Sequence, residues 1–98
     1  MDDTYRKQGI LFVWNRQKAK TNVHKHGILF EQAAEAFFDP FLRVMESGTT
    51  EEHRDALLGL DTSGRLLFVV HIEQDEDTFR IISARKATTT EKSYYESN

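Results

Sequence analysis

The hydrophobic period of this chain changes at Asp39-Pro40, and that change dictates most of its architecture. Upstream, Phe30, Ala33, Ala34, Phe37 and Phe38 follow the i, i+3, i+4, i+7, i+8 spacing of an amphipathic helix, with Glu31, Gln32 and Glu35 on the other face. Proline disfavours helical geometry in the residue before it, so Asp39-Pro40 ends that helix. Downstream the period is two. Phe41 to Glu46 and His53 to Leu60 read as strands around a polar loop, Ser47 to Glu52, and Asp61-Thr62-Ser63-Gly64 is a turn signal. Leu66 to Ile72 is apolar on both faces until His71, as a central strand is, and Thr78 to Arg85 returns beside it after an acidic loop, Glu73 to Asp77.

Nearer the N-terminus, Ile10 to Trp14 suits a first strand. Asn15 then offers an N-cap, and Arg16 to His26 contains good helix formers until Gly27, the usual residue at a left-handed C-terminal position. Residues 1–8 are polar and show no pairing pattern, so they are expected to be a flexible end. Thr88 with Glu91 forms a capping box that opens a short last helix, running to about Glu96. The expected order is β-α-α-β-β-β-β-α. This is an α+β fold, a small antiparallel sheet packed against two N-terminal helices, within one domain over residues 1–98.

The 98 residues carry a net charge of −3, which counts against nucleic-acid binding over a broad surface. The charge is segregated, however. Residues 1–30 hold six Lys/Arg against two Asp, residues 31–61 two against eight acids, and residues 62–98 five against six. With no Cys, disulfides and thiolate metal sites are excluded. No HExxH spacing occurs, and His24 and His26 point in different directions on a helix, so neither a metal nor a cofactor is expected. An acidic start and the lack of a long apolar run fit a cytoplasmic protein.

Two islands concentrate the groups that can hold a phosphodiester and move protons: Lys25-His26-Gly27 at the end of the first helix, and Arg80 to Arg85 on the last strand. Lys25 is a phosphate clamp or general acid, or else a solvated lysine favouring the helix C-terminus. His26 supplies acid-base chemistry or a contact to RNA, or else caps helix carbonyls; Lys18 contacts backbone phosphate or is simply solvated. His71 is an acid-base group or a hydrogen-bonded sheet histidine. Pairing Ile72 with Thr78 puts Leu66, Phe68, Val70, Ile72, Arg80, Ile82 and Ala84 on one face, and a rim of His71, Ser83 and Arg85 on the other. Arg80 and Arg85 then diverge, unless a bulge after Ser83 redirects one.

Trp14, Lys18, Asn22, Lys25-His26-Gly27-Ile28, Phe30-Glu31, Phe38-Asp39-Pro40, Arg54 with Gly59 five residues on, Val69-Val70-His71, Arg80 to Arg85, Ala87-Thr88 and Glu91 together resemble the BrnT family. The resemblance spans residues 10 to 96. It implies the toxin half of a bacterial type II toxin-antitoxin pair, with a RelE-like fold over residues 9–97 and ribonuclease activity that blocks translation by cutting mRNA. It further implies a ribbon-helix-helix antitoxin (BrnA-like) as partner, through which DNA is met indirectly. Arg54, Arg80 and Arg85 match family positions and would hold the phosphate of a metal-independent reaction, while Tyr95 resembles a C-terminal tyrosine that stacks on a base. Two positions depart from the pattern. Leu29 stands where Ser usually caps the second helix, and His53 where Glu is frequent, leaving any carboxylate role to Glu52 or Asp55. The other reading is a catalytically silent toxin fold acting as co-repressor with its DNA-binding antitoxin.

Overall fold

The computed structural model describes residues 1–46 and 54–97. Along them run β1 (Asp2–Lys7), β2 (Ile10–Asn15), α1 (Arg16–His26), α2 (Phe30–Ala36), β3 (Arg43–Glu46), β4 (Asp55–Leu60), β5 (Leu66–Asp75), β6 (Thr78–Lys86) and α3 (Thr89–Glu96). The α+β class and the expected order hold from β2 onward. The polar loop expected over 47–52, and His53 after it, lie outside the described residues.

The N-terminal expectation is corrected: residues 2–7 form an ordered strand, antiparallel to β2, with Asp2 opposite Asn15 and Lys7 opposite Ile10. One aromatic residue and two carboxylates hold this polar segment. Tyr5 packs against the rings of Phe12 and Trp14, with centroids 6.4 and 6.1 Å apart. Asp2 and Asp3 pair with Arg80 and Arg16.

The sheet has the order β1-β2-β6-β5-β4-β3. Its neighbours are antiparallel except β2 and β6, where Leu11 to Val13 run parallel to Thr78 to Arg80. The small antiparallel sheet that was expected thus includes one parallel seam. Successive antiparallel pairings from β3 to β6 fix the direction of β6, and the two helices after β2 form the crossover that a parallel neighbour requires.

Both helices lie on one face. Phe12, Trp14, Leu57, Leu67, Val69, Ile81 and Ala84 from the sheet pack with Ile28, Phe30, Ala33, Ala34 and Ala36 in one buried cluster. The alanines let α2 approach the sheet closely. At Gly59 on β4 an added Cβ would lie 2.4 Å from the carbonyl oxygen of Ala36. Helix α2 begins with half a capping box, since Leu29 has no side-chain acceptor but the Gln32 side chain accepts its N–H at 2.9 Å.

Helix α1 is bounded as its sequence predicts. The Asn15 side chain accepts the Lys18 N–H at 3.0 Å, and Gly27 takes φ 70° with its N–H donating to Val23. Asn22 is the one residue α1 buries. Its Nδ2 donates to the carbonyls of Ile28 and Ala84, and its Oδ1 accepts the N–H of Ala84. After Val13 and Arg80 the pairing of β2 with β6 ends, and this buried amide takes over as the partner of the β6 backbone at Ala84.

Candidate functional site

The β5–β6 register decides where the cationic groups of β6 stand. Ile72 lies opposite Arg80 and His71 opposite Ile81, but Val70 lies opposite Ser83, so Ile82 is an extra residue on β6. Side chains alternate along a strand, and a bulge shifts the alternation by one. Arg80, Ser83 and Arg85 therefore share a face with Phe68, Val70 and Ile72, turned away from α1 and α2. The sequence alternation divided these residues differently, because it pairs Ile72 with Thr78 and has no bulge before Ser83. In the structure Asp75 faces Thr78.

The expected rim of His71, Ser83 and Arg85 does not exist. His71 is 4% exposed on the helix-covered face, edge-on to Phe37 and Phe79 with centroids 4.9 and 5.7 Å away. Its Nδ1–H donates to the Val69 carbonyl at 3.3 Å. Burial pushes the imidazole pKa below its usual value, against smaller opposing effects from Val69, Asp55 and Glu73. This is the hydrogen-bonded sheet histidine of the two sequence readings. Asp55, opposite His71, shares that inner face.

Arg80 and Arg85 on the outward face are each held by a carboxylate. Arg85 makes a two-pronged pair with Glu91, at 2.8 and 2.9 Å, and lies over the Phe68 ring with its guanidinium carbon 4.2 Å from the centroid. Glu91 also accepts the N–H of Thr88, completing with the Thr88 hydroxyl the capping box of α3. Its carboxyl pKa is lowered, chiefly by the Arg85 hydrogen bond. Arg80 pairs with Asp2 at 2.7 Å, which likewise lowers the Asp2 carboxyl.

Helix α3 crosses this face above a row that runs Arg43, Leu58, Phe68, Arg85 over four strands. Arg43 donates to the Ser97 carbonyl and stacks on Tyr94, 4.8 Å from its centroid, while Glu91 grips Arg85 at the other end. The Tyr95 hydroxyl donates to Asp39, whose carboxylate also accepts the N–H groups of Leu60 and Phe41. Burial and this bond push the Tyr95 pKa up to about 12. The structure places Tyr95, the residue expected to stack on a base, with its hydroxyl engaged as a tether for α3.

Beside the face lies a shallow groove of about 280 Å³ between α1 and β6, lined by Lys18, Thr21, Lys25 and His26 from the helix and by Ile82 and Ser83 from the bulge. Lys18, Thr21, Lys25 and His26, with the buried Asn22 between them, follow the i, i+3, i+4, i+7, i+8 spacing of a single helix face, a signal already present in the sequence. Ser83 belongs to both the groove and the outward face. Lys18, Lys25 and His26 thus stand together, next to the strand that carries Arg80 and Arg85. Arg54, half-buried, immediately precedes β4. Among the described residues, no three His, Asp or Glu side chains converge as a metal site would need, and no helix is long and apolar enough to cross a membrane.

The chain is similar to the crystal structure, at 1.1 Å resolution, of the ribonuclease toxin BrnT from Brucella abortus, with TM-score 0.55 and 23% identity, over 78% of this chain and 94% of that one. At that identity the likeness speaks for the fold. No curated protein matches the sequence. The family model for the ribonuclease toxin BrnT of type II toxin-antitoxin systems matches residues 14–91, a span that holds α1, the β6 bulge and Glu91. The chain belongs to the BrnT family of ribonuclease toxins.

Proposed function

We propose that this toxin is a metal-independent endoribonuclease that cuts mRNA on the outward face of β5 and β6. One observation carries the reading: the extra residue Ile82 sets Arg80, Ser83 and Arg85 on one face, beside a groove that holds Lys18, Lys25 and His26. In the reaction a 2′-hydroxyl oxygen bonds to the adjacent phosphorus and the P–O5′ bond breaks, leaving a 2′,3′-cyclic phosphate and a 5′-hydroxyl. The pentacoordinate phosphorane carries extra negative charge on its non-bridging oxygens, which the planar guanidinium forks are shaped to receive. Lys18 and Lys25 guide the RNA backbone through the groove. His26 is the imidazole that the groove offers for proton transfer, since His71 is enclosed beneath the helices. Arg54 adds positive charge from the start of β4.

The type II family implies an antitoxin partner, and we infer a ribbon-helix-helix protein in the cytoplasm as that partner, binding DNA for both. The test of the enzyme is cleavage of a defined single-stranded RNA in EDTA by the purified protein, beside folded Arg80→Ala, Arg85→Ala and Lys25→Ala variants. Cutting by the parent that falls at least about a hundredfold in the arginine variants supports the reading. A second reading, the silent co-repressor, is favoured by the carboxylates already seated on both arginines and by the net charge of −3. It predicts no cutting of free or ribosome-bound message, with operator binding by the antitoxin still strengthened by the toxin.

A further inference from the structure

We propose that Asp2 is a built-in competitor for phosphate at Arg80, so that strand β1 sets how tightly the outward face takes up RNA. The inference rests on the reading of that face as RNA-binding and adds a residue that tunes it.

The two carboxylates on the face differ in kind. Glu91 is 17% exposed, caps α3 through Thr88 and grips an arginine already stacked on Phe68. It belongs to the scaffold. Asp2 is 44% exposed and stands at the start of an edge strand, with one oxygen 2.7 Å from Nη2 of Arg80 and the other 3.4 Å from Nη1. Two oxygens across a guanidinium fork reproduce the way two phosphate oxygens would sit there.

Strand β1 also lies outside the residues 14–91 that match the family model. The competing carboxylate is therefore carried by a segment beyond the family pattern, on a strand whose register places Asp2 and Thr4 on the Arg80 side. An exposed pair of this kind is weak, and RNA binding gains from releasing counterions, so the carboxylate attenuates uptake without blocking it.

The test uses an uncleavable 2′-O-methyl oligouridylate carrying fluorescein, whose binding to the full chain is followed by anisotropy over a series of salt concentrations. Asp2→Asn keeps the shape of the side chain and is expected to tighten binding on the order of threefold. It should also steepen the slope of log affinity against log salt, by at most about 0.7, the value for one whole phosphate neutralised on a single strand. In an Arg80→Ala background the same change should give no gain. Unchanged binding by Asp2→Asn, with Arg80→Ala weakened, overturns the role of Asp2 and leaves the RNA face standing. A gain that persists without Arg80 reduces the effect to net charge and also overturns the proposal. Binding that is absent, or indifferent to Arg80, overturns the RNA face and the proposal with it.

Discussion

Asn22 meets Ala84 with both ends of its side-chain amide, accepting the Ala84 N–H at 3.0 Å and donating to the Ala84 carbonyl at 2.9 Å. A helix side chain thereby stands in for a strand where β2 has left β6, and the same amide closes the turn after α1 by donating to Ile28. It fixes the floor of the groove that holds Lys25 and His26. Asn22→Ala would leave one buried N–H and two carbonyls short of a partner. The expected loss is about 2–4 kcal/mol of unfolding free energy, measured by urea denaturation. Asn22→Asp keeps the acceptor, loses the donors and buries a charge, so it should be no milder.

Gly59 is fixed by a close approach rather than by its backbone angle. A Cβ there would meet the Ala36 carbonyl oxygen at 2.4 Å and its Cβ at 3.1 Å, and these belong to a helix packed on a strand. Gly59→Ala must push α2 off the sheet, with an expected cost of about 1–3 kcal/mol. The thermal midpoint of the variant would show it. An unchanged midpoint would mean that α2 is free to shift.

The sequence carried the helices and the strand count from Ile10 onward because each is written in local chemistry: Asn15 and Gly27 at the ends of α1, Asp39-Pro40 after α2, Thr88 with Glu91 on α3. What it hid was long-range. β1 forms because Tyr5 finds Phe12 and Trp14 and because Asp2 and Asp3 find arginines far along or across the fold, none of which shows in an eight-residue polar stretch. The bulge at Ile82 was equally invisible, since Ile81-Ile82 reads as regular strand, yet it moves Ser83 and Arg85 to the other face. Both islands of candidate residues were legible; their relation to each other depended on that one residue.

Helix α3 buries none of its own residues and is held to the sheet face by polar contacts, among them the Tyr95 hydroxyl on Asp39. Tyr95→Phe keeps the ring and removes that bond, while Asp39 retains the N–H groups of Leu60 and Phe41. The expected cost is about 1 kcal/mol. It should appear first as faster amide hydrogen exchange over Lys92 to Ser97, with the core strands unchanged. Uniform acceleration through β5 and β6 would instead make α3 part of the global folding unit.

The depressed pKa of His71 predicts a pH dependence with a definite sign. The ring is neutral between Phe37 and Phe79, and the unfolded chain has the ordinary value near 6.5, so between the folded value and about 6.5 the unfolded state holds the extra proton. Stability contributed by the neutral ring is complete above about 6.5 and is lost as the pH falls toward the folded value. The carboxylates of Asp39, Asp61 and Glu91 are also lowered, and their contribution is lost in a separate, more acidic window beginning near 4. In His71→Phe the decline that sets in below about pH 6.5 should flatten, and the carboxylate decline should remain. Cleavage by the same variant should keep the pH profile of the parent, because the ring lies on the face opposite Arg80 and Arg85. A profile that changed with His71 would return this histidine to the chemistry.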